Sequence, residues 1–382
     1  MSVPVGVLTI WLAFTAILFL APLILGILTL RSNAVRTSGE GRVAPPAPLE
    51  LLVPLKEVSS GQEQILESER DPANHMVDRL CQQHGHARKI ISGLSTGCAQ
   101  KNHNLIAGIQ ALRPETEIIV FCDSSNLAEP DWLLRFTEPL ETGVSEVVST
   151  FRAFDPKPET LGGVSQAIYG SFVLLLDVLR PKPWGGATAI RRETFEKLNV
   201  TAAWARTVVD DLILGNVLEG RRIGIRLDAT NLLKSPLHNQ SVAGFLSYLD
   251  RQILFPKFTN PGIWVVTLAA HMNVTLAVLV SVIVGLVLFP MGVVGPVIGW
   301  ASYGYLGSLF LTALLLRTLN PFPVSVGNWL LSFLPSIFLI AFIFLRSVFR
   351  NYIVWHGRKY RAGFEGVVLE ISSQDEGPRA SP

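Results

Sequence analysis

Apolar residues are spread unevenly along this 382-residue chain. They crowd into residues 5–30 and 262–346, while the stretch between has the composition of a water-soluble domain. That partition constrains the fold more than any motif does. It predicts a membrane protein carrying one water-exposed domain of roughly 220 residues, enough for a single large core. The charged fraction is 16%, against about 25% in soluble domains. Residues 4–30 hold no charge and, at about 1.5 Å per residue, are long enough to cross a bilayer. A cleaved signal peptide would carry a basic region before a shorter apolar core. Here the first positive charge is Arg31, after the segment, so residues 1–30 are expected to be an uncleaved anchor. Arg31, Arg36 and Arg42 follow it and assign the next domain to the cytoplasmic side.

The other end is less consistent. Ile263–Phe289, Gly292–Leu316 and Val326–Leu345 are each long enough to span. One anchor plus three spans puts the C-terminus outside. Yet Arg346, Arg350, Arg358, Lys359 and Arg361 follow the last block and belong on the cytoplasmic side. A re-entrant block or a broken hairpin would remove the conflict, and Asn320-Pro321-Phe322-Pro323 offers a break. His271 and Asn273, near the start of the second span, are either functional polar residues or helix–helix hydrogen-bond partners. Net charge is +2, which gives no electrostatic reason to expect nucleic acid. Cys81, Cys98 and Cys122 lack metal-like spacing and are expected to be free buried thiols.

Residues 31–48 read as a linker, 49–242 as an α/β domain, 243–261 as an amphipathic interfacial segment, 262–346 as membrane helices, and 347–382 as a basic segment with a disordered tail. Within the α/β domain, strands are expected at 49–56, 89–93, 117–122, 144–151 and 223–227, with helices at 72–83, 101–112, 162–179 and 191–198. Repeated β-α-β units predict a mainly parallel sheet covered by helices on both faces. The central strand, Ile118 to Cys122, ends in Asp123-Ser124-Ser125-Asn126. Open α/β sheets bind ligands at the carboxyl ends of their strands, and a carboxylate there could hold Mg²⁺ against a diphosphate. Asp123 could equally start a turn. Trp184-Gly185-Gly186 allows close backbone approach to a ligand. Asp210-Asp211 is either a working carboxylate pair or an acidic helix N-terminus.

In order, the chain presents Pro54-Leu55-Lys56, Asp71-Pro72-Ala73, Lys101-Asn102-His103-Asn104-Leu105, Cys122-Asp123-Ser124, Trp184-Gly185-Gly186, Ala189-Ile190-Arg191-Arg192-Glu193, Asp210-Asp211 and Trp355-His356-Gly357-Arg358. This order resembles the ceramide glucosyltransferase family, a membrane-bound branch of the inverting GT-A glycosyltransferases. The resemblance implies a Rossmann-like GT-A fold, a UDP-sugar donor, a divalent cation (Mg²⁺ or Mn²⁺) and a membrane lipid acceptor in the bilayer. It implies that Asp71 helps hold the uracil nucleotide, that Asp123 binds the metal, and that Asp211 is the general base beside Asp210. It implies that Pro54, Lys56, Lys101, Asn104, Trp184, Gly185, Gly186 and Arg251 lie along the nucleotide-sugar site. Three departures stand out. Ser125 replaces the last acid of an Asp-x-Asp, Gln252 follows Arg251 where the family has Trp, and only 14 residues (57–70) separate Lys56 from Asp71.

The function so implied is inverting transfer of a sugar, glucose by resemblance, to a lipid such as ceramide. A processive polysaccharide synthase is the alternative within the class, and a non-catalytic GT-A scaffold the alternative outside it. The first would carry an intact Gln-x-x-Arg-Trp and more spans.

Overall fold

The computed structural model describes residues 5–37, 47–55, 73–355 and 357–373. Its centre is a five-stranded sheet of β1 (Leu49–Leu52), β2 (Ile118–Cys122), β3 (Val147–Ser149), β5 (Ala187–Arg191) and β6 (Arg226–Leu227), in the order β1-β2-β5-β3-β6. β1, β2, β3 and β6 run one way, and β5 runs against both its neighbours. The sheet is therefore mixed, with mostly parallel strands. Side chains alternate across it, as the two-residue period of a strand requires. Ile119 and Phe121 enter one core with Leu105, Phe195 and Trp204. Ile118 and Val120 enter the other with Trp132, Phe136 and Leu174. The continuous apolar run of β2 is thus explained by burial on both faces.

One face is covered by α3 (Gln100–Gln110), α6 (Arg192–Lys197), α7 (Val200–Trp204) and α8 (Asp211–Gly220). The other is covered by α4 (Trp132–Glu141) and one end of α5 (Leu161–Leu179). α2 (Ala73–Gln83) precedes them, and its Met76 and Leu80 are exposed. A strand expected at 89–93 does not form: Ile90 and Ile91 are exposed, and the segment has no ladder partner among the described residues. The strand expected at 144–151 is cut to β3. The chain then leaves the sheet as β4 (Arg152–Lys157), which pairs in parallel with β7 (Leu233–His238).

The C-terminal basic segment folds through residue 373 into an antiparallel sheet of β8 (Tyr352–Trp355), β9 (Arg358–Ala362) and β10 (Val368–Ser373). Ile353, Tyr360 and Ala362 point into the core that holds Phe121 and Trp204. Val208 N–H donates to Gly366 O (2.9 Å), and Val368 N–H donates to Arg206 O (2.9 Å). Residues 374–382 lie outside the described residues.

Among the described residues five helices are long and apolar enough to cross a membrane. They are α1 (Val5–Thr37), α5, α10 (Pro261–Val282, continued as a π-helix to Leu288), α11 (Pro296–Arg317) and α12 (Val326–Val348). α5 differs from the rest in being mostly buried within the protein. Its Leu174 and Val178 pack under the central sheet, while its Ile168 and Leu175 pack on Leu23 of α1 and Leu316 of α11. α9 (Val242–Thr259) packs Phe245, Leu249 and Ile253 against Ile340, Ile343 and Phe344 of α12. Asn273 accepts from Trp11 Nε1 (2.8 Å) and donates to Thr15 Oγ1 (3.2 Å), so it ties α10 to α1.

Candidate active site

The antiparallel strand builds the site. β5 begins at the sheet edge where β2 and β3 end, and Ala187 stands opposite Cys122. The loop Trp184-Gly185-Gly186 is thereby delivered beside Asp123, whose N–H donates to Gly186 O (3.0 Å). Trp184 N–H donates to Ser149 Oγ at the end of β3 (2.9 Å). α3 brings Lys101 from one side, and the start of α8 brings Asp210 and Asp211.

Lys101 Nζ lies 3.0 Å from Asp123 Oδ1 and 2.9 Å from Asp210 Oδ2, and donates to Gly185 O at 2.9 Å. Asp211 accepts from Gly185 N–H (2.9 Å) through Oδ2 and from Leu212 N–H (2.7 Å) through Oδ1. Three acids, one ammonium and one glycine thus share a single locus. Gly185 is required for it: a Cβ there would stand 2.6 Å from Asp210 Oδ2 and 2.8 Å from Lys101 Nζ. A Cβ at Gly186 would collide with the Trp184 ring.

Charge and burial set the protonation states. Burial works against the Lys101 ammonium, but Asp210, Asp123 and Asp211 outweigh it and hold the lysine charged well above its usual range. Burial, then the charge of Asp210, pushes the Asp211 carboxyl up to about 6. Burial and the neighbouring Asp123 charge push the Cys122 thiol up to about 11, so it is inert near neutral pH. The three cysteines are free, as expected, although only Cys98 is fully buried.

A second cluster adjoins the first. The Arg152 guanidinium sits 5.2 Å from the Trp184 ring, 5.2 Å from Phe154 and 5.5 Å from Tyr248. Its buried Nε has no partner among the described residues. Arg251, one helical turn from Tyr248, makes no hydrogen bond or ion pair among the described residues, and burial lowers its pKa. Two guanidiniums thus lie within electrostatic reach of each other, neither in an ion pair among the described residues although the Asp250 charge also reaches Arg251, and Arg152 sets this positive charge beside Trp184.

Of the residues singled out in the sequence, Asp123, Lys101, Gly185, Gly186, Asp210 and Asp211 come together with Trp184, and Arg251 is connected to them only through Arg152. Pro54 follows β1 by two residues, which the parallel register sets level with Asp123. Asn104 faces elsewhere: its Oδ1 accepts from Ser92 Oγ (2.7 Å) and Gln100 Nε2 (2.8 Å). Lys56 and Asp71 lie outside the described residues. Arg152 and Tyr248 were missed. The signal for Arg152 was a lone cation inside the apolar stretch Phe151-Arg152-Ala153-Phe154.

Among the described residues no group of three or more His, Cys, Asp or Glu could by itself hold a metal ion. The Asp123 side chain is 28% exposed and keeps an open face. This donor set fits a hard cation that arrives with phosphate oxygens and takes one protein carboxylate. It does not make a metal site of protein ligands alone.

A mixed α/β domain with acids and a lysine at the carboxyl edge of its sheet, joined to apolar helices, fits a GT-A-like domain with membrane helices. The family follows from the sequence itself: residues 65–368 match glycosyl transferase family 21, and the chain belongs to that family. No curated protein matches. Among solved structures, one described as "Crystal Structure of a Mycobacterial Protein" is 19% identical, with a TM-score of 0.26, covering 43% of this chain and 52% of that one. The chain thus spans about half the length of that structure.

Proposed function

We propose that the protein moves one sugar from a UDP-sugar to the hydroxyl of a membrane lipid, inverting the sugar carbon. The observation that carries this reading is the convergence of Lys101, Asp210 and Asp211 on Gly185, with Asp123 paired to Lys101, at the mouth of the sheet. Asp211 acts as the base. Its two oxygens are held by backbone N–H groups, which fixes the carboxylate while leaving a lone pair to accept the hydroxyl proton. The acceptor oxygen bonds to the sugar carbon as the bond from that carbon to the diphosphate oxygen breaks. The proton stays on Asp211, and UDP leaves. Lys101 offsets negative charge at the diphosphate, with Arg251 and Arg152 behind it. A Mg²⁺ or Mn²⁺ ion, when bound through Asp123 and the donor phosphates, would supply further charge neutralisation. Lipid as acceptor, ceramide in particular, and glucose as sugar rest on the family resemblance and on the apolar helices beside the site.

Topology belongs to the same reading. α1, α10 and α11 cross the bilayer, and α12 lies with both ends at the catalytic domain. Supporting this, Ser325 Oγ and Asn328 Nδ2 at its start donate to Glu159 (2.7 and 2.8 Å). At its end, Lys257 Nζ donates to Ser347 O (2.7 Å) and Arg350 O (2.6 Å). Arg346 and Arg350 then share the cytoplasmic side with Arg31, and the conflict among the sequence blocks disappears.

A non-catalytic reading draws on one observation: Lys101 already neutralises both Asp123 and Asp210. Purified protein in detergent, given labelled UDP-sugars and lipid, separates the readings. A lipid carrying one sugar supports the proposal, and a polymer indicates a synthase. No product, together with no metal-dependent UDP affinity, indicates a scaffold.

A further inference from the structure

Protein interiors hold few voids larger than a water molecule. Between α1, α5, α10, α11 and α12 lies a cavity of about 70 Å³ whose walls are almost wholly apolar. By volume it could admit several waters, since each needs roughly 10–15 Å³. Its chemistry refuses them. Three of the polar side chains on its wall are already engaged by their own surroundings. Thr312 Oγ1 donates to Ser308 O (2.8 Å), and Ser336 Oγ donates to Ser332 O (2.6 Å). His271 Nε2 lies 3.1 Å from Ile337 O. What faces the space is methyl, methylene and ring carbon, so a hydrocarbon suits it and a headgroup does not.

One wall of the cavity belongs to a helix that also approaches the reacting groups. Tyr169, Phe172 and Leu175 of α5 form that wall. Two residues beyond Leu175, on the opposite face of the helix, stands Asp177, within electrostatic reach of Asp211. From Tyr169 a second path runs through the Tyr248 ring (6.1 Å) to Arg152 and Trp184. The same helix therefore touches the apolar chamber and the carboxylates.

We infer that this cavity receives one hydrocarbon chain of the lipid acceptor, with α5 setting the distance between the chain and the hydroxyl at Asp211. The inference rests on the lipid-acceptor reading above and adds where the chain goes and what limits its length. Ser336→Phe fills the chamber, and Phe172→Ala enlarges it. The full-length protein is assayed with ceramides of short and long N-acyl chain. Ser336→Phe is expected to raise KM for the long-chain ceramide at least tenfold while leaving the short-chain value within twofold. Phe172→Ala is expected to move the preference toward longer chains. Equal effects on both lengths, or none, overturn the inference.

A ceramide with a photoreactive group at the chain end gives a readout independent of turnover, and of either variant's folding. Crosslinks are expected on the peptides holding Phe172 and Val274, and unlabelled ceramide should compete them away. Crosslinks there without any sugar transfer uphold the cavity and defeat the lipid-transferase reading. Transfer with crosslinks elsewhere does the reverse. Equal, uncompeted labelling by a photoreactive phosphatidylcholine marks the space as a bilayer-lipid site and overturns the inference.

Discussion

At Gly185 the consequence of a single carbon atom can be stated. Its Cβ would fall 2.6 Å from Asp210 Oδ2, 2.8 Å from Lys101 Nζ and 3.1 Å from Asp211 Oδ2, closer than ordinary van der Waals contact. Gly185→Ala is expected to lower kcat/KM about a hundredfold, the scale of a small misplacement at a reacting centre. Thermal unfolding of the variant, measured in parallel, should move little, since the residue packs against charge rather than core. The Asp211 carboxyl carries a second expectation. Because its pKa is raised to about 6, the ionised base is lost as pH falls, and kcat/KM should decline below that value. Asp210→Asn removes a neighbouring negative charge, which lowers the Asp211 pKa and shifts the acidic limb to lower pH. Lys101→Met removes a positive charge and shifts it higher. Full pH profiles of the three proteins check the signs. Asp123 and Asp211 were singled out by the order of motifs along the chain, since an acid ending a buried strand and an acid opening a helix are each, taken locally, as readily a turn or a helix start. Arg152 was not, because Trp184 and Tyr248, which cage it, stand far away in the chain.

Among the elements, β5 matters most and was the hardest to read. Ala187-Thr188-Ala189-Ile190 follows two glycines and is built largely of small side chains, so it carries little strand pattern. Only the burial of its neighbours makes it a strand, and only its reversed direction brings Trp184-Gly185-Gly186 to Asp123. The C-terminal sheet hid for a different reason. Arg358, Lys359 and Arg361 mask the alternation that turns Tyr360 and Ala362 inward. α12 was legible as apolar but not as tethered at both ends, since Glu159 and Lys257 are remote in sequence. Its placement makes a testable statement. In a chain with Cys81, Cys98 and Cys122 changed to alanine, Leu369→Cys should react with an impermeant maleimide from the side of the catalytic domain. Met291→Cys, in the α10–α11 turn, should react from the other. Labelling of both from one side contradicts the arrangement.

At the scale of the whole molecule, anchor, domain and C-terminal helices form one connected body rather than a domain on a tether. Gly26 of α1 lies so close to Leu175 of α5 that a Cβ would collide with it. β9 reaches back to α3, where Arg358 donates to Gln100 Oε1 (2.7 Å) and Ser95 O (2.7 Å), just before Lys101. The membrane part and the acids at the sheet edge are thus linked through α5, and the C-terminus braces the helix that carries the lysine. The partition into apolar ends and a soluble middle was plain from the sequence, because bilayer-length runs need no tertiary context. The joint between the parts was not, because it is made by one helix, α5, apolar enough to read either way. The most direct test of the account compares wild type with Asp211→Asn for transfer of labelled sugar from UDP-sugar to ceramide, with UDP affinity measured by calorimetry on the same samples. The account predicts transfer by wild type, loss of at least a thousandfold in the variant, and UDP affinity within a few fold of wild type. Undiminished transfer by Asp211→Asn would contradict it.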